Sequence, residues 1–477
     1  MPQRQTPSIK LLRGLRLFGL GHLDRIILAA LADQRPLLLI GAHGTAKSAL
    51  LNRLAESLGL RHRHYNASLI SFDDLLGYPV PNRARNGLEY LRTDNDLWDA
   101  ESVFLDEISR CRPESQNKLF SIIHERKVQG SQLKSLRYRW AAMNPPFCPD
   151  AEEGEVDEIY AGSLPLDPAL ADRFPYVVVM PTLLDLSKKD RLALIRKGDS
   201  EPDPAIRLAD LVEQAKDAYQ LQPESIFAWA ASYVEALLSP LAEASFMISG
   251  RRAAFLVRNI VSVFSSGSVL GYSDTIADSA FLALKWGLPQ RAQGRTVKES
   301  LLNAIHKQAI LIAGEPESSP WHAIRATRDP VHRIALALPH AGTAIAKREL
   351  SNLVSDAFAA LPIPKRYLLT RHLWPKLTHA SCLNIPTLEL LGDCAAKVAK
   401  FCGGETHQLD LHRSRAGGWN DLLARVNALS KEGEDGACLA NYLLTVFAIE
   451  KEPVDAEELI VLDAEWKAMF AGVQVGA

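Results

Sequence analysis

Leu37-Leu38-Leu39-Ile40 is a short apolar run. It leads into Gly41-Ala42-His43-Gly44-Thr45-Ala46-Lys47-Ser48, after which Leu50, Leu51, Leu54 and Leu58 recur at helical spacing. A buried strand that turns into a helix through small residues constrains this chain more than any other feature. It brings successive backbone N–H groups to one point, and the helix that follows adds the positive end of its dipole. Such a turn receives phosphate. Lys47 at its end would reach the β- and γ-phosphates of a triphosphate, and the Ser48 hydroxyl would ligate Mg²⁺. Gly41, Ala42, His43, Gly44, Thr45, Ala46, Lys47, Ser48 and Ala49 are therefore the candidate nucleotide-binding residues. Ala46 stands where such loops usually carry glycine. Its methyl group fits if the backbone there is helical, so binding is expected to survive. The competing reading is a tight strand-to-helix turn with an incidental lysine.

Further strands are expected at Val103–Leu105, Tyr138–Met143 and Tyr176–Met180, and one more at Arg61–Asn66. Strands separated by helical stretches imply a parallel sheet with crossover connections. From about Leu183 helical patterns dominate: Ser187–Lys197, Pro204–Tyr219, Ile226–Leu238, Gly250–Phe264 and Tyr272–Trp286. Gly314-Glu315-Pro316-Glu317-Ser318-Ser319-Pro320 reads as a linker. The 477 residues suggest about three domains, placed at 1–182, 183–313 and 314–477. The last is helical, with Leu353, Phe358, Leu368, Leu369, Leu388, Leu390 and Leu391 as core candidates.

With 54 Lys and Arg against 56 Asp and Glu, a globally basic nucleic-acid coat and a highly acidic solvating chain are both excluded. No apolar run is read as reaching the roughly 18 residues a membrane span needs. The basic N-terminus, interrupted by charges, reads as mature protein. The six dispersed cysteines, with no CxxC pair, read as reduced thiols. The expected location is cytoplasmic.

Val103-Phe104-Leu105-Asp106-Glu107 is a buried strand ending in two carboxylates. Following a phosphate loop, Asp106 is placed to hold Mg²⁺ through its water shell and Glu107 to polarise an attacking water. The next strand ends Met143-Asn144-Pro145-Pro146. Asn144 could orient water against the γ-phosphate, or merely start the turn. Leu166-Asp167-Pro168-Ala169-Leu170-Ala171-Asp172-Arg173-Phe174 precedes the last strand. Arg173 could stabilise transition-state charge in a neighbouring subunit, or pair with Asp172 or Asp167. Ser249-Gly250-Arg251-Arg252 opens a helix, where one arginine could contact the γ-phosphate.

The set GAHGTAKS, VFLDEISRCRPESQNKLFSIIHERKV, WAAMNPP, LDPALADRF and SGRRAAFLVRNI resembles the MoxR-type AAA+ ATPases, over roughly Gly21 to Leu311. The resemblance implies a fold: an α/β phosphate-loop core with helices on both faces of a parallel sheet, then an all-helical lid. An all-helical accessory domain at the C-terminus is the natural guess for the remainder. It also implies ATP and Mg as cofactors, hexameric homo-oligomeric rings, and remodelling of partners that often carry a von Willebrand factor A domain. In its terms Lys47 and Ser48 are the Walker A pair, Asp106 and Glu107 the Walker B pair, Asn144 sensor 1, Arg173 the arginine finger and Arg251 sensor 2. Phe72–Trp98, with a hairpin-like turn at Asn86-Gly87, has the place of the family's insert in the second helix. Phe147–Ser163 is longer and more acidic than the usual link, and Trp321–Ala477 lies outside the resemblance.

A nucleic-acid-linked motor is the second reading, based on Arg126, Lys127, Lys134, Arg137 and Arg139 between Glu125 and Arg139. A solvated charged face is favoured over it. A scaffold that holds nucleotide without turnover is weakened by the competent residue at each catalytic position. Ser187-Lys188-Lys189-Asp190 is a loose match to a guanine-specifying motif and lies outside the core strands. His62 and His64 read as surface histidines, and His332, His340, His372 and His379 as structural.

Overall fold

The computed structural model describes residues 9–83, 86–111, 116, 119–128, 131–146, 163–197, 206–295, 297–316, 318–377, 381–402 and 419–475. The acidic stretch 147–162 lies outside the described residues. The chain divides into two compact units, Met1–Ala313 and Gly314–Ala477.

The strands of the first unit are β1 (Leu37–Ile40), β2 (His62–Asn66), β3 (Tyr78–Pro81), β4 (Leu88–Leu91), β5 (Ser102–Asp106), β6 (Lys127–Val128), β7 (Ser131–Gln132), β8 (Tyr138–Met143) and β9 (Tyr176–Val179). Its α-helices are α1 (Leu11–Gly14), α2 (Asp24–Ala32), α3 (Lys47–Ser57), α4 (Phe72–Leu76), α5 (Pro168–Ala171), α6 (Lys188–Lys197), α7 (Leu208–Gln220), α8 (Glu224–Glu243), α9 (Gly250–Val269), α10 (Ile276–Gly287) and α11 (Glu299–Ala313).

Five strands pair in parallel in the order β2-β5-β8-β1-β9. Apolar runs in the buried strands β1, β5 and β9 make this possible, because a parallel sheet covered on both faces leaves no polar side; β2, at the edge, is polar and partly exposed. Successive residues alternate between two cores. Leu37, Leu39, Phe104, Trp140, Ala142 and Val178 enter one, and Leu38, Ile40, Val103, Leu105, Ala141 and Val177 the other. Ile40 lies between Met143 and Val179, so the C-terminal ends of β1, β8 and β5 open on one crevice. The sheet order reverses beside β1, the place where parallel sheets bind ligands. Between β2 and β5, α4 and the antiparallel hairpin β3–β4 form the insert, with Tyr78 opposite Leu91.

The helices after β9 serve two cores. Leu208, Leu211, Val212, Ala215, Val263, Leu270 and Trp286 pack with α2 and the sheet. Tyr233, Leu237, Leu256, Ile260, Leu284 and Ile305 form a separate core among α8 to α11. By length and composition, Glu224–Glu243 and Gly250–Leu270 could cross a membrane, which corrects the sequence reading that no such stretch exists. Both pack against other helices of this unit: α8 against α11 and α9, and α9 also against α2, α7 and α10.

Asp24 is buried at the start of α2, where its two oxygens accept from the Leu11 and Leu12 amides at 3.1 and 3.0 Å. Burial pushes its carboxyl up to about 7, and the two amides offset this in part. The folded value lies above the unfolded one, so this group's contribution to stability is full below about pH 4 and declines as pH rises towards 7. Asp24→Asn is therefore expected to gain about 3 kcal/mol relative to the native chain between pH 4 and pH 8. Urea titrations at both pH values measure this, and parallel curves would remove the effect.

The second unit contains α12 (Pro320–Ala326), α13 (Pro330–Ala337), α14 (Lys347–Ala360), α15 (Ile363–Leu377), α16 (Ile385–Cys402), α17 (Trp419–Leu429), α18 (Glu434–Thr445) and α19 (Ala456–Phe470). Leu353, Phe358, Leu368, Leu369 and Leu391 enter its core. Leu390 does not: it is 42% exposed, because residue 391 takes the inward position on α16. Arg371 and His372 both reach Asp463, at 2.7 and 2.8 Å. This buried network joins α15 to α19. Among the described residues, Cys382, Cys394 and Cys438 are free thiols.

Candidate nucleotide-binding site

The crevice at the strand ends holds a cleft of about 230 Å³ lined by His43–Ala49, Asp106, Glu107, Met143 and Asn144. Gly41 enters the loop where a side chain has no room, since a Cβ there would lie 2.6 Å from Thr45 Oγ1 and 2.9 Å from Met180 Cβ. The Thr45 hydroxyl donates to the Ala42 carbonyl at 2.8 Å and closes the turn. Gly44 has φ +74°, which glycine adopts without strain.

Ala46 is not helical. Its φ is 63° and ψ 22°, in the left-handed region. That overturns the expectation of a helical backbone at this position and explains why glycine is usual there, since Cβ meets the following carbonyl in this conformation at a cost of roughly 1–2 kcal/mol. Ala46→Gly is expected to raise the unfolding free energy by about 1 kcal/mol. Urea denaturation reads this directly, and a loss of stability would contradict it.

The Lys47 ammonium donates to the carbonyls of Gly41 and Ala42 at 2.7 and 2.9 Å and to Asn144 Oδ1 at 3.3 Å. Burial lowers its pKa, opposed by the charges of Asp106 and Glu107. Ser48 Oγ donates to Asp106 Oδ2 at 3.1 Å. The Glu107 amide donates to Asp106 Oδ1 at 2.9 Å. Burial raises the Asp106 carboxyl, but hydrogen bonds from His64, the Glu107 amide and Ser48 outweigh it, so the group stays below the ordinary range. Glu107 itself is left-handed, with φ 54°. Strain of this kind on a non-glycine residue is common where a carboxylate must be aimed. Five of the candidate residues, Lys47, Ser48, Asp106, Glu107 and Asn144, thus meet in one cleft.

Three residues around the cleft were not singled out as ligands in the sequence. Asn66 Nδ2 lies 3.4 Å from Glu107 Oε2, and Arg110 NH1 lies 3.4 Å from both Glu107 oxygens. His64 is exposed, as expected of a surface histidine, but its ring stacks on Phe104 at 4.2 Å and its Nε2 is 3.5 Å from Asp106. His62 is likewise engaged, with Ser102 at 2.8 Å and Asn52 at 3.2 Å, and burial first of all lowers its pKa to about 4. The parallel pairing of β2 with β5 brings Asn66 and His64 to the carboxylates, whereas Arg110 follows Glu107 by three residues.

Arg173 and Arg251 do not line the cleft. Arg173 NH1 donates to the Ala169 carbonyl at 2.5 Å, and its guanidinium stacks on Phe120. The pairing with Asp172 or Asp167 considered above is not formed. Asp172 instead accepts from Ser249 and from Arg252 Nε, at 2.8 and 3.3 Å, with Arg251 3.9 Å away. Arg252 is fully buried and also donates to the carbonyls of Ala171, Phe174 and Gly287. It ties α9 to β9. Arg251 is 42% exposed and is the arginine of this pair with a free face.

The basic stretch from Glu125 to Arg139 is not an open patch. Arg139 is buried against carbonyls of Ile123 and Gln34, Arg137 pairs with Glu101 at 2.7 Å, and Lys127 is 3.5 Å from Glu125.

Residues 19–150 match the profile of a family described as the MoxR domain in the MoxR-vWA-beta-propeller ternary systems. No curated protein matches the chain. Among solved structures, one from Cytophaga hutchinsonii described as a “putative ATPase” is similar at 17% identity. The match covers 62% of this chain and 92% of that one, with a TM-score of 0.45. The matched segment contains the phosphate loop, the Asp106-Glu107 pair and Asn144 on the sheet order described above, and residues 19–150 are assigned to the MoxR-type AAA+ family.

Proposed function

We propose that this protein is a Mg-dependent ATPase that works as a homo-oligomeric ring, a hexamer, and spends ATP on remodelling a partner with a von Willebrand factor A domain. The description of the matched family also names a β-propeller component, which we propose as the third member of the same system. The convergence of Lys47, Ser48, Asp106, Glu107 and Asn144 on one cleft carries the reading.

Ser48 and Asp106 offer two hard oxygens 3.1 Å apart. That donor set suits Mg²⁺, which keeps several waters and takes the rest of its ligands from phosphate. When bound, the ion would neutralise charge on the transferred phosphoryl group. Loop amides and Lys47 bind the triphosphate. Glu107 accepts a proton from the attacking water, while Asn144 orients that water. In this reading Asn66 and Arg110 hold the Glu107 carboxylate. Arg173 and Arg251 stand together beside Asp172, outside the cleft of their own subunit, so we assign both to the nucleotide of the neighbouring subunit. That revises the reading of Arg251 as a contact to its own γ-phosphate. We assign partner recruitment to residues 314–477, which have their own core.

The test uses Glu107→Gln, which is expected to hold ATP while turnover falls about 100-fold or more. With Mg-ATP it should retain the purified von Willebrand factor A protein of the same system, and without ATP release it. A Glu107→Gln chain ending at Ala313 should bind ATP but not the partner. ATP-independent retention would count against remodelling, and retention by the shortened chain would count against the recruiting role.

A further inference from the structure

At the end of the sheet opposite the phosphate loop, where β1 begins, a second cleft of about 360 Å³ lies between the end of α2, the C-terminal half of α7 and the middle of α9. Arg35, Lys216 and Arg258 face it, with Tyr219 and Gln34, and one carboxylate, Asp33. The carboxylate is already committed. Its Oδ2 accepts from the Tyr176 hydroxyl at 2.7 Å and its Oδ1 from Ser262 Oγ at 2.9 Å. Burial pushes it up to about 6, with these hydroxyls and the charges of Arg35 and Arg258 acting against the rise.

The cations are poorly balanced. Among the described residues neither Arg35 nor Arg258 has a carboxylate in ion-pair contact, while Lys216 reaches Glu213, three residues earlier on α7, at 2.6 Å. Arg35 instead lies over the Phe255 ring, 5.4 Å from its centroid. Arg126 and Arg139 stand behind it. Burial, and then repulsion from neighbouring arginines that include Arg35, lowers both. Arg139 donates only to carbonyls. Like charges gathered in a partly desolvated place raise the free energy of the empty cleft and focus a positive potential into it.

We propose that this cleft binds a small, multiply charged anion, a phosphorylated metabolite no larger than a mononucleotide, held by Arg35, Arg258 and Lys216. Guanidinium forks match phosphate oxygens bidentately. The volume lies at the lower end of the range for small-ligand pockets, about 300–1,000 Å³, and Tyr219 supplies a wall for the uncharged part. Arg35 precedes the strand that ends in the phosphate loop, and Lys216 and Arg258 belong to helices that follow β9. A bound anion therefore bridges the sheet and the helices, and it regulates how firmly the two are held together.

The test is calorimetric and involves no turnover, so it stands or falls separately from the ATPase reading. The full-length Lys47→Ala chain, with the phosphate-loop lysine removed, is titrated with pyrophosphate in the absence of Mg²⁺. One site per chain is expected. Adding Arg258→Glu should weaken it at least tenfold, as should Arg35→Gln, while Arg258→Lys should keep most of it. Arg258 is exposed, so its substitution leaves the fold intact, and an unchanged melting temperature checks this. Absence of binding in the Lys47→Ala chain would overturn the proposal. So would binding that Arg258→Glu leaves unchanged. An oligo-dT or polyglutamate that displaces pyrophosphate and binds tenfold more tightly at the same salt would also overturn it, since the site would then belong to a polyanion.

Discussion

Lys47→Ala is expected to weaken ATP binding by at least about 100-fold, below detection at micromolar concentrations. Among the described residues the ammonium is the one lysine or arginine group lining the cleft, and it already bridges the two halves of the site. It is bonded to the Gly41 and Ala42 carbonyls of the loop and to Asn144 on the adjacent strand. Its removal deletes the charge that would meet the β- and γ-phosphates and also takes its donor from the Gly41 carbonyl, while Ala42 keeps the Thr45 hydroxyl. Lys47→Arg separates the two effects. It keeps the charge but not the reach, and should bind weakly while the fold is preserved. Equilibrium binding of a fluorescent ATP analogue measures both. Micromolar affinity in Lys47→Ala, with the fold intact by circular dichroism, would remove the phosphate-loop assignment.

Arg173→Ala protein mixed with Glu107→Gln protein is expected to recover part of the ATPase activity that each lacks alone. Arg173 lies outside its own cleft, stacked on Phe120 and bonded to a carbonyl with no carboxylate partner among the described residues. A guanidinium held by packing and not by an ion pair remains available to a neighbouring phosphate. A finger supplied in trans contributes about 10³–10⁵ in rate where it has been separated from the rest of the site, so Arg173→Ala alone should be nearly inactive. In mixed assemblies some interfaces pair an intact Glu107 with an intact Arg173. Phosphate release across a range of mixing ratios should therefore pass through a maximum. A flat, inactive series despite demonstrated co-assembly would sink action across an interface. Full activity of Arg173→Ala alone would remove the role entirely.

Much of the core could be read from local pattern. Tyr138–Met143 is a strand over the whole stretch its apolar run suggested, and β1 stops one residue short of the glycine that opens the loop. Buried parallel strands announce themselves because both faces are apolar and each is bounded by turn residues. Leu390 shows the opposite case. On a helix, the inward position depends on how the neighbouring helices pack, and a row of leucines does not say which of them is covered.

The residue types and spacing along the chain determined the phosphate loop, the carboxylate pair and the asparagine that follows, because each is a short run of contiguous residues at the end of a buried strand. Which side chains surround them was decided by the tertiary structure. Asn66 and His64 sit on a strand about forty residues before Glu107 and are brought to the carboxylates only by sheet pairing. Asp172 chooses Arg252 over Arg173 because α9 packs across the start of β9. The left-handed turn at Ala46 also needed the folded loop, since a backbone angle is imposed by the convergence of strand and helix and not by the methyl group that has to tolerate it. Contact between distant segments depends on how buried surfaces fit, and no local pattern encodes that fit.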